Sequence, residues 1–164
     1  MSISLEKLET LFAKLAAFGK NNEGGLTRLS YSPEFQAAQT MLAEFMKNIG
    51  MTVAIDAVGN LIGTYPGRDN SLKPICSGSH LDSVPNGGMF DGALGIVTAL
   101  ECLRGWHEEG WQPLRPVKVI AFVEEEGSRF GSVCFGSRSM AGELREADPV
   151  SCQNSAGRAL PEVL

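Results

Sequence analysis

Residues 115–127 read RPVKVIAFVEEEG. From Val117 to Val123 the run is rich in β-branched and aromatic residues, which suit a pleated, half-buried surface. It predicts a strand. That strand runs directly into three adjacent carboxylates, Glu124, Glu125 and Glu126, and then Gly127. Neighbouring negative charges repel one another, so the triplet reads as a solvated face, a metal site or an acid/base group.

Working outward from it, SLKPICSGSHLDS (71–83) predicts a second, buried strand over residues 74–79, after which the chain turns polar at His80 and Asp82. A loop, VPNGGMFDG (84–92), then leads into a helix of small and apolar residues, ALGIVTALECLRGW (93–106). MTVAIDAVGNLIGTYPG (51–67) reads as two short strands joined around Gly59–Asn60. Near the start, Leu5, Leu8, Leu11, Phe12, Leu15 and Phe18 recur at helical spacing, with Ser4 as N-cap and Gly19 as stop. Ser32-Pro33-Glu34 supplies cap, first-turn proline and acid for a second helix. Its buried stripe is Phe35, Ala38, Leu42, Phe45 and Ile49, and Gly50 closes it. The tail from Glu143 to Leu164 shows no clear pattern. Helices alternate with strands, so the fold class is α/β, a sandwich with a mostly parallel central sheet.

The chain has 164 residues, 43% of them apolar and 20% charged, which suits one globular domain. A net charge of −5 argues against nucleic acid or an anionic membrane as partner. No stretch approaches the ~18 apolar residues a membrane span needs, and the first ten residues lack signal-peptide order. Cys76, Cys102, Cys134 and Cys152 are scattered with no CxxC, which reads as free thiols in a cytoplasmic protein.

In open α/β sheets, sites lie beyond the carboxyl ends of the strands. His80, Asp82 and the three glutamates all follow strand ends, and Asp91 sits at a helix start. Imidazole nitrogen with carboxylate oxygen suits zinc, manganese and related divalent ions. Asp82 is placed to accept the second N–H of a ligating His80. Taken singly, each residue has a plainer reading: a structural histidine, a helix cap, a solvated acidic face. No G-x-S-x-G elbow or P-loop is present. Cys134, in GSVCFGS (131–137), is a remote candidate nucleophile and reads better as a core thiol; His107 reads as a surface histidine.

The segments GSHLDSVPNGGMFDGALGIVTALE (78–101) and AFVEEEGSRFGSVCFGSRSMAG (121–142) resemble the M20-type metal-dependent amidohydrolases. The group they resemble comprises the N-carbamoyl-L-amino-acid hydrolases, allantoate amidohydrolases and β-ureidopropionases. GGLTRLSYS (24–32) and DAVGN (56–60) carry the same resemblance. It implies a three-layer αβα, metallo-exopeptidase-like catalytic domain holding two divalent ions, Zn2+ or Mn2+, with Co2+ or Ni2+ compatible. Residue by residue, it implies His80 and Glu126 as metal ligands and Asp91 as the carboxylate between the two ions. Glu125 becomes the general base and Asp82 the partner of the histidine. Glu124 is left as a spectator, solvated or paired near the strand end. The Asp91–Gly92 peptide is expected to be cis. The implied substrate is a small carbamoyl or ureido compound, whose linear C–N bond is cut by a metal-activated water that gives its proton to Glu125. An M20 aminoacylase or peptidase with the same ligands, or a non-catalytic remnant, are the alternatives.

The resemblance also implies a longer protein, with two further histidine ligands and a lid and dimerisation domain, and a homodimer. Residues 1–164 are accordingly read as the incomplete N-terminal part of a catalytic domain, weakly active or inactive alone.

Overall fold

A computed structural model describes residues 3–144 and 151–162. The elements run α1 (Leu5–Ala16), α2 (Pro33–Asn48), β1 (Thr52–Ile55), β2 (Leu61–Tyr65), β3 (Ile75–His80), α3 (Ala93–Glu108), β4 (Val117–Phe122), α4 (Phe135–Met140) and a 3-10 turn (Leu160–Glu162). The caps are those the sequence predicts. Ser4 accepts from Lys7 N–H and Ser32 from Phe35 N–H, with Pro33 in the first turn. Of the tail, residues 145–150 and 163–164 lie outside the described residues.

The class is α/β, as expected, and the sheet has the order β1-β2-β4-β3. It is mixed rather than mostly parallel: β1–β2 and β2–β4 are antiparallel, and β3–β4 is the parallel pair. The reason is connection length. Five residues join β1 to β2, held by Asp56 accepting from Val58 and Asn60 N–H, and so short a link permits only an antiparallel pair. The α3 crossover lets β3 and β4 run parallel.

One sheet face carries Leu61, Gly63, Tyr65, Val117, Val119 and Ala121, which pack with Leu11, Leu15, Leu42, Met46, Ile96 and Leu100 of the three long helices. Gly63 lies under Met46 and Met51, and Gly95 of α3 lies over Ser79. Of the three layers expected, the described residues build two, because α1, α2 and α3 share this face. The strand at residues 75–80 is correspondingly not buried. β3 is an edge strand with Ile75, Cys76, Ser77 and Gly78 exposed, since no described strand pairs with its outer side.

Two buried polar groups lock the helices. Arg28, 1% exposed, donates to Leu81 O at 2.8 Å and to Leu15 O and Phe18 O at 2.9 and 3.1 Å. A cation thus caps carbonyls at and just beyond the end of α1 and ties them to the residue that follows β3. Burial lowers its pKa to about 10, partly offset by Asp82, so it stays charged at neutral pH. Glu101, also 1% exposed, accepts from Ser4 N–H and from Arg104 Nε and Nη2. Arg104 also pairs with Glu108, which Lys7 holds at 2.8 Å.

Hydrogen bonds from Arg104 and then Lys7 lower the Glu108 pKa from 4.5 to about 2, and the Arg104 bond likewise lowers that of Glu101. A carboxylate with a depressed folded pKa stabilises above its unfolded value and loses that contribution as pH falls toward the folded one. The thermal midpoint should therefore fall as pH drops from 4.5 toward 2, and Glu108→Gln should flatten that part of the profile. Circular-dichroism melts across this range check both.

Candidate metal centre

The parallel pairing of β3 with β4 sets the site. His80 lies opposite Phe122, and Leu81 N–H continues the ladder to Phe122 O at 3.1 Å. The two chains therefore leave the sheet side by side, one as His80-Leu81-Asp82, the other as Val123 and the glutamates. Asp91 arrives from the start of α3. Its carbonyl accepts from Ala93 N–H at 2.6 Å, and Gly92 turns the chain with φ +64°. A Cβ at Gly92 would come within 2.6 Å of the His80 ring and 2.5 Å of its carbonyl, so only glycine lets these segments meet.

His80 Nδ1 lies 2.9 Å from the main-chain oxygen of Asp82. A carbonyl can only accept, so Nδ1 carries a hydrogen, and in its neutral form the ring then presents a lone pair at Nε2. Nε2 is 3.5 Å from Asp91 Oδ1. Donor atoms of His80, Asp91 and Glu126 all lie within 4.8 Å of one another. His80 is 13% exposed at its side chain and Asp91 64%, while Glu126 is half-buried. Burial raises the Glu126 pKa; Asp91, Asp82 and Glu125 push it further up and His80 opposes them. A divalent cation fits this donor set, since it would offset the crowding of carboxylates.

Asp82 sits differently from the expectation. The ring of His80 bonds its main chain, and the carboxylate stands 3.9 Å from Nδ1. That carboxylate, 2% exposed, instead accepts from the N–H groups of Glu125 and Glu126, each at 3.2 Å. Desolvation raises its pKa; those two N–H bonds and His80 oppose the rise. Glu125 has one carboxylate oxygen, Oε2, buried with no hydrogen-bond partner among the described residues.

Three further expectations need correction. Glu124 is not solvated but fully buried, with φ +51°, because its carboxylate bonds Phe130 N–H. The Asp91–Gly92 peptide is trans, the form that avoids the ~3–4 kcal/mol cost of a non-proline cis bond. Cys134 is a half-buried residue with φ +58° rather than a core thiol. Its S–H donates to the Glu125 carboxylate, which raises the thiol pKa. Arg28 and Ser30, both 1% exposed, were not singled out by the sequence. Nothing in a polar loop sequence marks an arginine that will cap a distant helix. His107 is exposed at the end of α3, against Gly50.

A family model described as Peptidase family M28 matches residues 60–153, more than half of the chain, and the chain belongs to that family. It is 40% identical, over 97% of its length, to an N-carbamoyl-L-amino acid amidohydrolase of Geobacillus stearothermophilus, covering 39% of that protein. It is 36% identical, over 89% of its length, to an allantoate amidohydrolase of Bacillus subtilis, covering 35% of it. A hydantoinase/carbamoylase family amidase from Burkholderia ambifaria superposes with a TM-score of 0.95 at 33% identity, over 99% of this chain and 40% of that one. The chain thus spans about two fifths of the relatives' length. No described helix is long and apolar enough to cross a membrane.

Asp82→Ala should leave two N–H groups without acceptors, costing about 2 kcal/mol and lowering the thermal midpoint by roughly 4–8 °C. Asp82→Asn, which keeps one acceptor, should fall between. Calorimetric melts of the three chains test this.

Proposed function

We propose that this chain carries the first metal-holding part of an amidohydrolase that cuts linear C–N bonds in N-carbamoyl-L-amino acids or allantoate-type ureido compounds. The observation that supports it most is the convergence of His80, Asp91 and Glu126 donor atoms within 4.8 Å. The relatives named N-carbamoyl-L-amino acid amidohydrolase and allantoate amidohydrolase support the substrate class.

His80 through Nε2, Asp91 and Glu126 would hold divalent metal, zinc or manganese by ligand type, and Asp91 would be the carboxylate shared with any second ion. Bound there, divalent ions supply Lewis acidity toward a substrate carbonyl and make a water acidic. The rest is the work of this chain's own residues. Glu125, whose Oε2 has no hydrogen-bond partner among the described residues, takes a proton from the attacking water. It then gives that proton to the leaving nitrogen as the C–N bond breaks. Asp82 keeps Glu125 and Glu126 in register through their N–H groups, and its carbonyl holds His80 in the tautomer that leaves Nε2 free. An N-carbamoyl amino acid would yield the amino acid, carbon dioxide and ammonia. The match to Peptidase family M28 favours one second reading, peptide or acyl-amino-acid hydrolysis at the same centre.

Three protein donors, one of them 64% exposed, predict weak metal binding by the 164-residue chain. Titration calorimetry with Zn2+ and Mn2+ should show binding that His80→Ala, Asp91→Asn and Glu126→Gln each weaken by about tenfold or more. Glu125→Gln should keep metal and abolish any turnover. Metal binding untouched by His80→Ala would refute the site. A panel of N-carbamoyl, N-acetyl and dipeptide substrates separates the two readings.

A further inference from the structure

We propose that Glu124 is a positioning residue whose buried carboxyl holds the turn that aims Glu125 and Glu126. The inference rests on the function proposed above only in naming what those two glutamates do.

Neighbouring side chains on a strand point to opposite faces, so a continued strand could not deliver two adjacent carboxylates to one place. The chain breaks out of the β conformation at Glu124, where φ is +51°, a region that L residues other than Asn, Asp and His seldom occupy. Glycine would adopt this conformation without strain. A glutamate there needs a reason, and its surroundings supply one. Glu124 is 0% exposed. Its Oε1 accepts from Phe130 N–H at 2.8 Å, its own N–H donates to Ser30 Oγ at 2.9 Å, and its carbonyl accepts from Phe135 N–H at 3.0 Å.

The Oε1 bond closes a loop around Glu125, Glu126 and Gly127, the last also at positive φ, +65°. Arg129 adds a bond to Ser30 O, and Tyr31 packs edge-on to Phe130. From the opposite side the Asp82 carboxylate grips the N–H groups of Glu125 and Glu126. The pair of glutamates is thus held between two buried acids, one on each chain leaving the β3–β4 pair. Glycine would satisfy the dihedral angle and leave Phe130, 3% exposed, with an unpaired N–H. Aspartate is one methylene short of it. Glutamine alone keeps an acceptor at the same reach.

Amide hydrogen exchange in the metal-free 164-residue chain tests this, comparing wild type with Glu124→Gln, Glu124→Asp and Glu124→Ala. Exchange of Phe130 N–H should be faster by about tenfold or more in the Asp and Ala variants, with β4 amides unchanged, and near wild type in the Gln variant. Zn2+ affinity should follow the same order, falling about tenfold in Asp and Ala and being kept in Gln. The proposal fails if Phe130 exchange is unchanged in both Asp and Ala. It also fails if β4 amides lose protection equally or neither variant folds, since Glu124 would then be a general folding element. A Gln variant as damaged as Ala also overturns it. If wild type binds no Zn2+, the metal reading falls while the exchange comparison still decides the role of Glu124.

Discussion

The Asp82 carboxylate lies at the end of one chain leaving the sheet and accepts both N–H groups of the glutamates at the end of the other. Much else depends on that contact. It requires β3 and β4 to be parallel and in register, so that Asp82 and Glu125 emerge at the same height. It requires burial, because hydrogen bonds to a carboxylate are worth most where water is excluded. The parallel register in turn requires α3 as crossover, and α3 begins where Asp91 is presented. The fold and the site are therefore one arrangement: the crossover that makes the strands parallel also brings the third donor.

Electrostatics explains why the arrangement suits a cation. Asp82, Asp91, Glu125 and Glu126 lie close enough for the last to feel the other three, and burial adds to the penalty. His80 is the one member of the cluster that favours the ionised carboxylates. Arg28 offsets some of the cost at Asp82, while its N–H groups are committed to the carbonyls of Leu15, Phe18 and Leu81. A divalent ion would complete the balance from the open side, where Asp91 is exposed.

Among the described residues the hydrophobic core closes from one side of the sheet. With α1, α2 and α3 gathered on one face, the core of Leu61, Val119 and Ala121 is closed without any contribution from the other side. The edge of β3 remains exposed, as an edge strand does when nothing pairs with it. The relatives, of which this chain covers about two fifths, share the same local architecture over nearly its whole length.

Several features were determined by the sequence alone. Local signals marked both capped helices, the hairpin around Gly59–Asn60 and the β-rich run before the glutamates, whereas His80, Asp91 and Glu126 were singled out as a set only by resemblance to a known family. These are short-range properties: periodicity, capping chemistry and turn residues act within a few positions. Only the tertiary structure decided strand direction, which face the helices share, and the separate fates of three identical side chains. Glu124, Glu125 and Glu126 are indistinguishable as letters. What separates them is partners 6 to 94 residues distant, Phe130, Ser30 and Asp82, reached across the turn and the parallel pair. Such contacts depend on how β3 and β4 dock, and no pattern of neighbouring residues encodes that.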